Sequence, residues 1–138
     1  MSKFRPHGDY KLRLDGRILV SDLQGPWNLE LVDSWMRAAY PMVKELAATG
    51  PHVHLTVVTG SLLCTPESLD RLANVIVYTT ANMKCIGNLV AASAEVEGRA
   101  LFEPMYSRIY ADSPPHGLFY DFDSAKLWAL ELLAQKGF

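Results

Sequence analysis

The sequence predicts a single α/β domain whose mixed, mostly parallel sheet opens on an antiparallel hairpin. Three observations predict it. Alternating apolar and polar residues flank Asp15-Gly16, and a tight hairpin turn needs the positive φ that such a dipeptide tolerates. Downstream, β-branched apolar runs alternate with stretches of helical periodicity, the pattern of a sheet built by crossover helices. No linker, repeat or low-complexity segment divides the 138 residues, a length that one hydrophobic core can serve.

Tyr10, Leu12 and Leu14 alternate with Lys11 and Arg13, so residues 10–14 and 17–23 form the hairpin strands. Gly25-Pro26 ends the second strand. Asn28 can then accept from a free amide of the first helical turn, with Glu30 well placed against the helix dipole. Trp27, one position before that cap, can pack on Val32. Leu29, Val32, Met36, Ala39, Tyr40 and Val43 recur at helical spacing through about Ala48, with a bend expected at Ala39–Met42 because Pro41 lacks a backbone donor.

After the stop Thr49-Gly50-Pro51, HVHLTVVTG reads as a largely buried strand at 53–59. Thr65 caps a second helix from Pro66 to about Asn82, with Leu69, Leu72, Ala73, Ile76 and Val77 inward. The run KCIGNLVAASA suits strand or helix by periodicity alone, and the order of its neighbours assigns it to a strand at 84–92. Leu101, Phe102, Met105, Tyr106, Ile109 and Tyr110 mark a third helix, with Pro104 as an irregularity. A loop at 113–117 leads to a strand at 118–122, and Asp123 or Ser124 caps a last helix through Gln135. The order is ββαβαβαβα.

Composition narrows the function classes. A net charge of −2, from 13 basic and 15 acidic residues spread along the chain, provides no basic stripe to track a phosphate backbone, so no nucleic-acid partner is expected. No apolar run approaches the roughly 20 residues of a membrane span, and MSKFRPHGDYK lacks the apolar core of a signal peptide. A cytoplasmic protein is expected. Cys64 and Cys85, outside any CxxC pair, read as packing thiols.

The leading hairpin, the helix after the third strand, and the closing GLFYDFDSAKLWALELL with Trp128 resemble the STAS-like domains, including their SpoIIAA-like branch. The resemblance covers nearly the whole chain at the level of topology. It implies a non-catalytic regulatory or binding module, since relatives switch protein partners through a phosphorylated hydroxyl after the third strand, or bind nucleotides or lipids. The matching place here is CTPESL, residues 64–69. Pro66 and Glu67 replace the hydroxyl pair, leaving Thr65 and Ser68 as the hydroxyls nearby for a phospho-switch, and the residues themselves favour Thr65 as a helix cap instead.

Candidate sites follow from the same reading. Trp27 is the tryptophan least explained by helix periodicity, and is the first choice for a partner contact or pocket wall. Arg99 and Arg108, with Tyr106 and Tyr110, can line a pocket for a small anionic ligand, against the alternative of core tyrosines and solvated arginines. The expected partner is thus an unknown protein or a small anionic or apolar ligand, with a homodimer through the hairpin edge as a further arrangement. His52 and His54 share a strand face, but no further ligand cluster is visible. They read as exposed strand-end histidines, and neither metal nor cofactor is expected. The alternative function is a small enzyme with its site in the loops after the third and fourth strands, around Ser61, Cys64 and Ser93. No GxSxG or GxxxxGK[ST] motif occurs.

Overall fold

A computed structural model describes residues 8–109 and 115–138. Five strands form one sheet in the order β1-β2-β3-β4-β5: β1 (Asp9–Asp15), β2 (Ile18–Gln24), β3 (His52–Thr59), β4 (Cys85–Ala91) and β5 (His116–Phe119). β1 and β2 form the antiparallel hairpin, and every later pair is parallel. The helices are α1 (Leu29–Thr49), α2 (Pro66–Asn82), α3 (Arg99–Ile109) and α4 (Phe122–Ala134).

Because strands 2 to 5 follow one another across the sheet, right-handed crossovers carry α1, α2 and α3 over the same face. Their side chains Trp35, Leu72, Ile76, Phe102 and Tyr106 form one cluster with Leu23, Val58 and Val90. α4 follows the last strand and has no crossover to complete, so it covers the opposite face, packing Ala125, Ala129, Leu132 and Leu133 on Val20, Val53, Leu55 and Leu89. No helix among the described residues is long and apolar enough to cross a membrane.

Two of the expected caps form as the side-chain chemistry requires. Asn28 Oδ1 accepts from Leu31 N at 3.0 Å and Thr65 Oγ1 from Ser68 N at 3.3 Å. The close of the chain differs from expectation. β5 ends at Phe119, and Asp121 rather than Asp123 or Ser124 caps α4, accepting from Ser124 N at 2.7 Å. The aromatic run FYDF alternates like a strand, but a cap that satisfies a free amide wins over one more ladder position. α1 runs through Pro41, which lies on the solvent face, where the carbonyl deprived of its partner can be hydrated. Tyr40, Val77 and Leu101 point outward rather than into the core.

Tyr106 joins the fourth and fifth strands. Its hydroxyl lies 2.8 Å from the carbonyl oxygens of Asn88 and Gly117 and accepts the Gly117 N–H at 3.1 Å. Burial raises its pKa, so the phenol stays protonated. Tyr106→Phe is expected to lower the unfolding free energy by about 1–3 kcal/mol, read by urea denaturation, because it removes a buried hydrogen-bonding group and leaves its partners unpaired.

Candidate functional site

Between α1, α2 and the sheet lies a cavity of about 300 Å³. Its origin is the side-chain pattern of the covering face. Pairing aligns Leu19, His54 and Asn88 in one row and Ser21, Thr56 and Val90 in the next. The opposite face carries Val20, Leu55, Leu89 and Ala91, which α4 packs closely. Short polar side chains under α1 and Ala39 above them leave space that leucine or isoleucine would fill. Trp27, Trp35, Val43, Leu72, Ile76 and Phe102 supply apolar walls. Tyr40 and Tyr78, both about half exposed, stand where the helices part. An Arg71–Asp33 ion pair links α1 and α2 beside this opening.

The polar floor is incompletely satisfied. Trp35 Nε1 donates to Ser21 Oγ at 3.0 Å, whereas Asn88 Nδ2 is buried with no partner among the described residues; Trp27 Nε1, also unpaired, lies against Gly25 at the corner before α1. Such donors are costly to leave unpaired unless a ligand or water meets them. Thr56 and His54 retain exposed surface although β3 is the central strand and carries helices on both faces. The cavity is therefore open to the outside, and none of the described residues lining it is charged.

At the β3 start of this face, His52, His54 and Cys85 converge, with ligand atoms within 4.8 Å of one another. The two Nε2 atoms are 2.9 Å apart, so one ring donates to the other. Burial holds His54 down to about 3, helped by the His52 charge, and burial with the Arg17 guanidinium holds His52 down to about 4. Both rings are neutral near pH 7. Burial pushes the Cys85 thiol up to about 11, and it donates to Gly87 O at 3.3 Å. The expectation of exposed strand-end histidines is thus corrected. His52 is fully buried and His54 mostly so, since both lie on the face that the helices cover, and the register shift that leaves Ile86 unpaired on β4 sets Cys85 opposite His52.

Comparison with known proteins places the architecture. No protein-family model matches the chain, and no curated protein matches it. A solved structure does: an uncharacterized DUF3478-family protein from Shewanella loihica PV-4, whose 2.25 Å crystal structure carries a SpoIIAA-like fold. It aligns with a TM-score of 0.61 over 94% of this chain and 98% of that one, at 14% identity. This chain has a SpoIIAA-like fold.

Within the SpoIIAA-like fold, the residues singled out from sequence separate. Trp27 is buried, held by its backbone N–H to Leu63 O at 2.9 Å and packed edge-on against Phe102, and its ring lines the cavity instead of facing a partner. Gly25 allows this corner, since a Cβ there would sit 1.8 Å from Ser61 O. Arg99 is committed elsewhere: Nε donates to Ala92 O at 2.8 Å, and the guanidinium pairs with Glu103 and lies 3.9 Å from the Tyr120 ring centroid. The solvated arginine of the alternative reading is therefore not found at Arg99. Arg99→Leu is expected to cost about 1–3 kcal/mol in thermal or urea unfolding while leaving cavity binding unchanged.

Arg108 is exposed on α3 and lines no described part of the cavity, and Tyr110 lies outside the described residues. Thr65 and Ser68 bond to each other within the α2 cap, with Ser68 Oγ donating to Thr65 O at 2.7 Å and fully buried. In the loops after β3 and β4, Ser61 Oγ donates to Glu97 at 2.9 Å and accepts from Leu63 N at 3.0 Å. Ser61 is buried and its acceptor is a carboxylate without a histidine, so the pair clasps two loops. Cys64 and Cys85 are free thiols. The residues that build the cavity floor, Ser21, Thr56 and Asn88, carry no motif. Their signal is period-two polarity in strands whose both faces are covered, together with a register that puts them side by side.

Proposed function

We propose that the protein is a non-catalytic binding module that takes up a small, neutral, largely apolar molecule carrying a hydrogen-bond acceptor. One observation carries this reading: an open apolar cavity without charged lining, with a buried donor on its floor, Asn88 Nδ2, lacking a described partner. Its size lies at the lower end of small-molecule pockets, which are mostly apolar with a few convergent polar groups. Arg99 is spent on Ala92 O and Arg108 lies outside the lining, so an apolar occupant is favoured over an anionic one. Ligand uptake between α1 and α2 ties both helices to the sheet and so alters the outer surface they present. That is the route by which a module of this kind regulates a protein partner. The exposed edge of β1 is the element open to self-association.

The test uses 1-octanol and octanoate, which share a chain and differ in charge. Trp27 and Trp35 line the cavity, whereas Trp128 packs on the α4 side. 1-Octanol is expected to change tryptophan emission saturably, with the response retained in Trp128→Phe. Octanoate is expected to bind at least ~10-fold more weakly at pH 8, because its charge would lose hydration without meeting a cation. Tighter binding of octanoate would replace this reading with the anionic one.

A further inference from the structure

The histidine pair and Cys85 are not explained by the cavity. Two neutral imidazoles point Nε2 at each other at 2.9 Å, with Cys85 Sγ within 4.8 Å of this pair. Of the side-chain atoms buried without a partner among the described residues, His52 Nδ1 belongs to this cluster, and Cys85 Sγ lies 3.7 Å from Asn88 Oδ1. A buried, incompletely paired set of two imidazoles and a thiol has more coordinating capacity than packing requires.

We propose that His52, His54 and Cys85 form a binding site for a divalent zinc-class ion at the end of the cavity. Tetrahedral zinc holds imidazole nitrogens at roughly 2.0–2.1 Å and thiolate sulfur at roughly 2.3 Å, which puts the two nitrogens roughly 3.3 Å apart. The Nε2 atoms therefore need to separate by only a few tenths of an ångström, and Sγ, within 4.8 Å of both, needs to close by about an ångström. Two nitrogens and one soft sulfur favour Zn(II) over Mg(II) or Ca(II). Three protein ligands leave a fourth position for water. On binding, the Sγ–H bond breaks, its proton leaves to solvent, and the Sγ–metal bond forms, so one proton is released per ion.

The surroundings suit that change. Arg17, anchored to the carbonyls of Leu46 and Pro51 and to Thr49, repels a cation but also favours the thiolate. The bound unit carries one charge less than the free ion. This site does not require a molecule in the cavity.

Cobalt substitution tests it on the full chain after chelator treatment and removal of the chelator. One equivalent of Co(II) is expected to produce a thiolate-to-cobalt charge-transfer band in the near ultraviolet, displaced by one equivalent of Zn(II). Cys64→Ser is expected to keep the band and Cys85→Ser to lose it. His54→Gln is expected to weaken Zn(II) at least ~10-fold, with circular dichroism confirming that each variant is folded. No charge-transfer band in the wild type, or a band that survives Cys85→Ser, overturns the assignment. Where Cys85→Ser does not fold, the spectra of the wild type and Cys64→Ser decide: a band absent from either overturns the assignment.

Discussion

Ala39→Phe is expected to abolish 1-octanol binding while the protein stays folded. Ala39 is buried in α1 beside Val43 and Leu46 and faces the cavity. A phenyl group there enters space that is already open, so the variant gains apolar contact instead of displacing a packed neighbour. Overpacking a filled core typically costs about 1–3 kcal/mol, and most of that is avoided here. The expected result is a melting temperature unchanged or raised, with octanol affinity reduced at least ~10-fold. Ala39→Leu is expected to fall between the two. Undiminished binding in a folded Ala39→Phe protein would locate the octanol site elsewhere.

The second large effect is acid sensitivity in the metal-free chain. His52 and His54 are held down to about 4 and about 3 in the folded state, by burial first and then by the Arg17 and His52 charges respectively. In the unfolded chain both return to the ordinary value near 6.5. Between those limits the unfolded state binds more protons, so their contribution to stability is complete above pH ~6.5 and is lost as pH falls. The expected slope is roughly 1 kcal/mol per pH unit for each histidine. Carboxylates contribute little above pH ~5, so the window from 6.5 to 5 isolates the histidines. Urea denaturation across that window checks this, and His54→Gln is expected to remove about half of the slope. A flat stability profile from pH 6.5 to 5 would show that the rings are hydrated.

Much of the fold was legible because its punctuation is chemical and local. Asp15-Gly16, Asn28 and Thr65 each act within a few residues, and the helices and strands between them follow their periods. The start of α4 was misplaced for a local reason too, since Asp121, Asp123 and Ser124 are all competent caps and only the end of the β5 pairing selects Asp121. The cavity was not legible. Ser21, Thr56 and Asn88 lie on three different strands, and nothing in one strand states the register that aligns them. The same holds for Cys85, which joins the histidine pair only through the β3–β4 pairing. Trp27 stood out from sequence because the helix pattern did not account for it, and its burial explains why: it packs before the helix begins.

The most direct test of the binding proposal is a two-dimensional amide NMR titration of the 15N-labelled protein with 1-octanol. The expected result is a saturable one-to-one response concentrated at Ser21, Ala39, Thr56 and Asn88, with the α4 amides of Ala125 and Ala129 unmoved. Shifts confined to surface amides, or no response at octanol saturation, would contradict a ligand cavity between α1, α2 and the sheet.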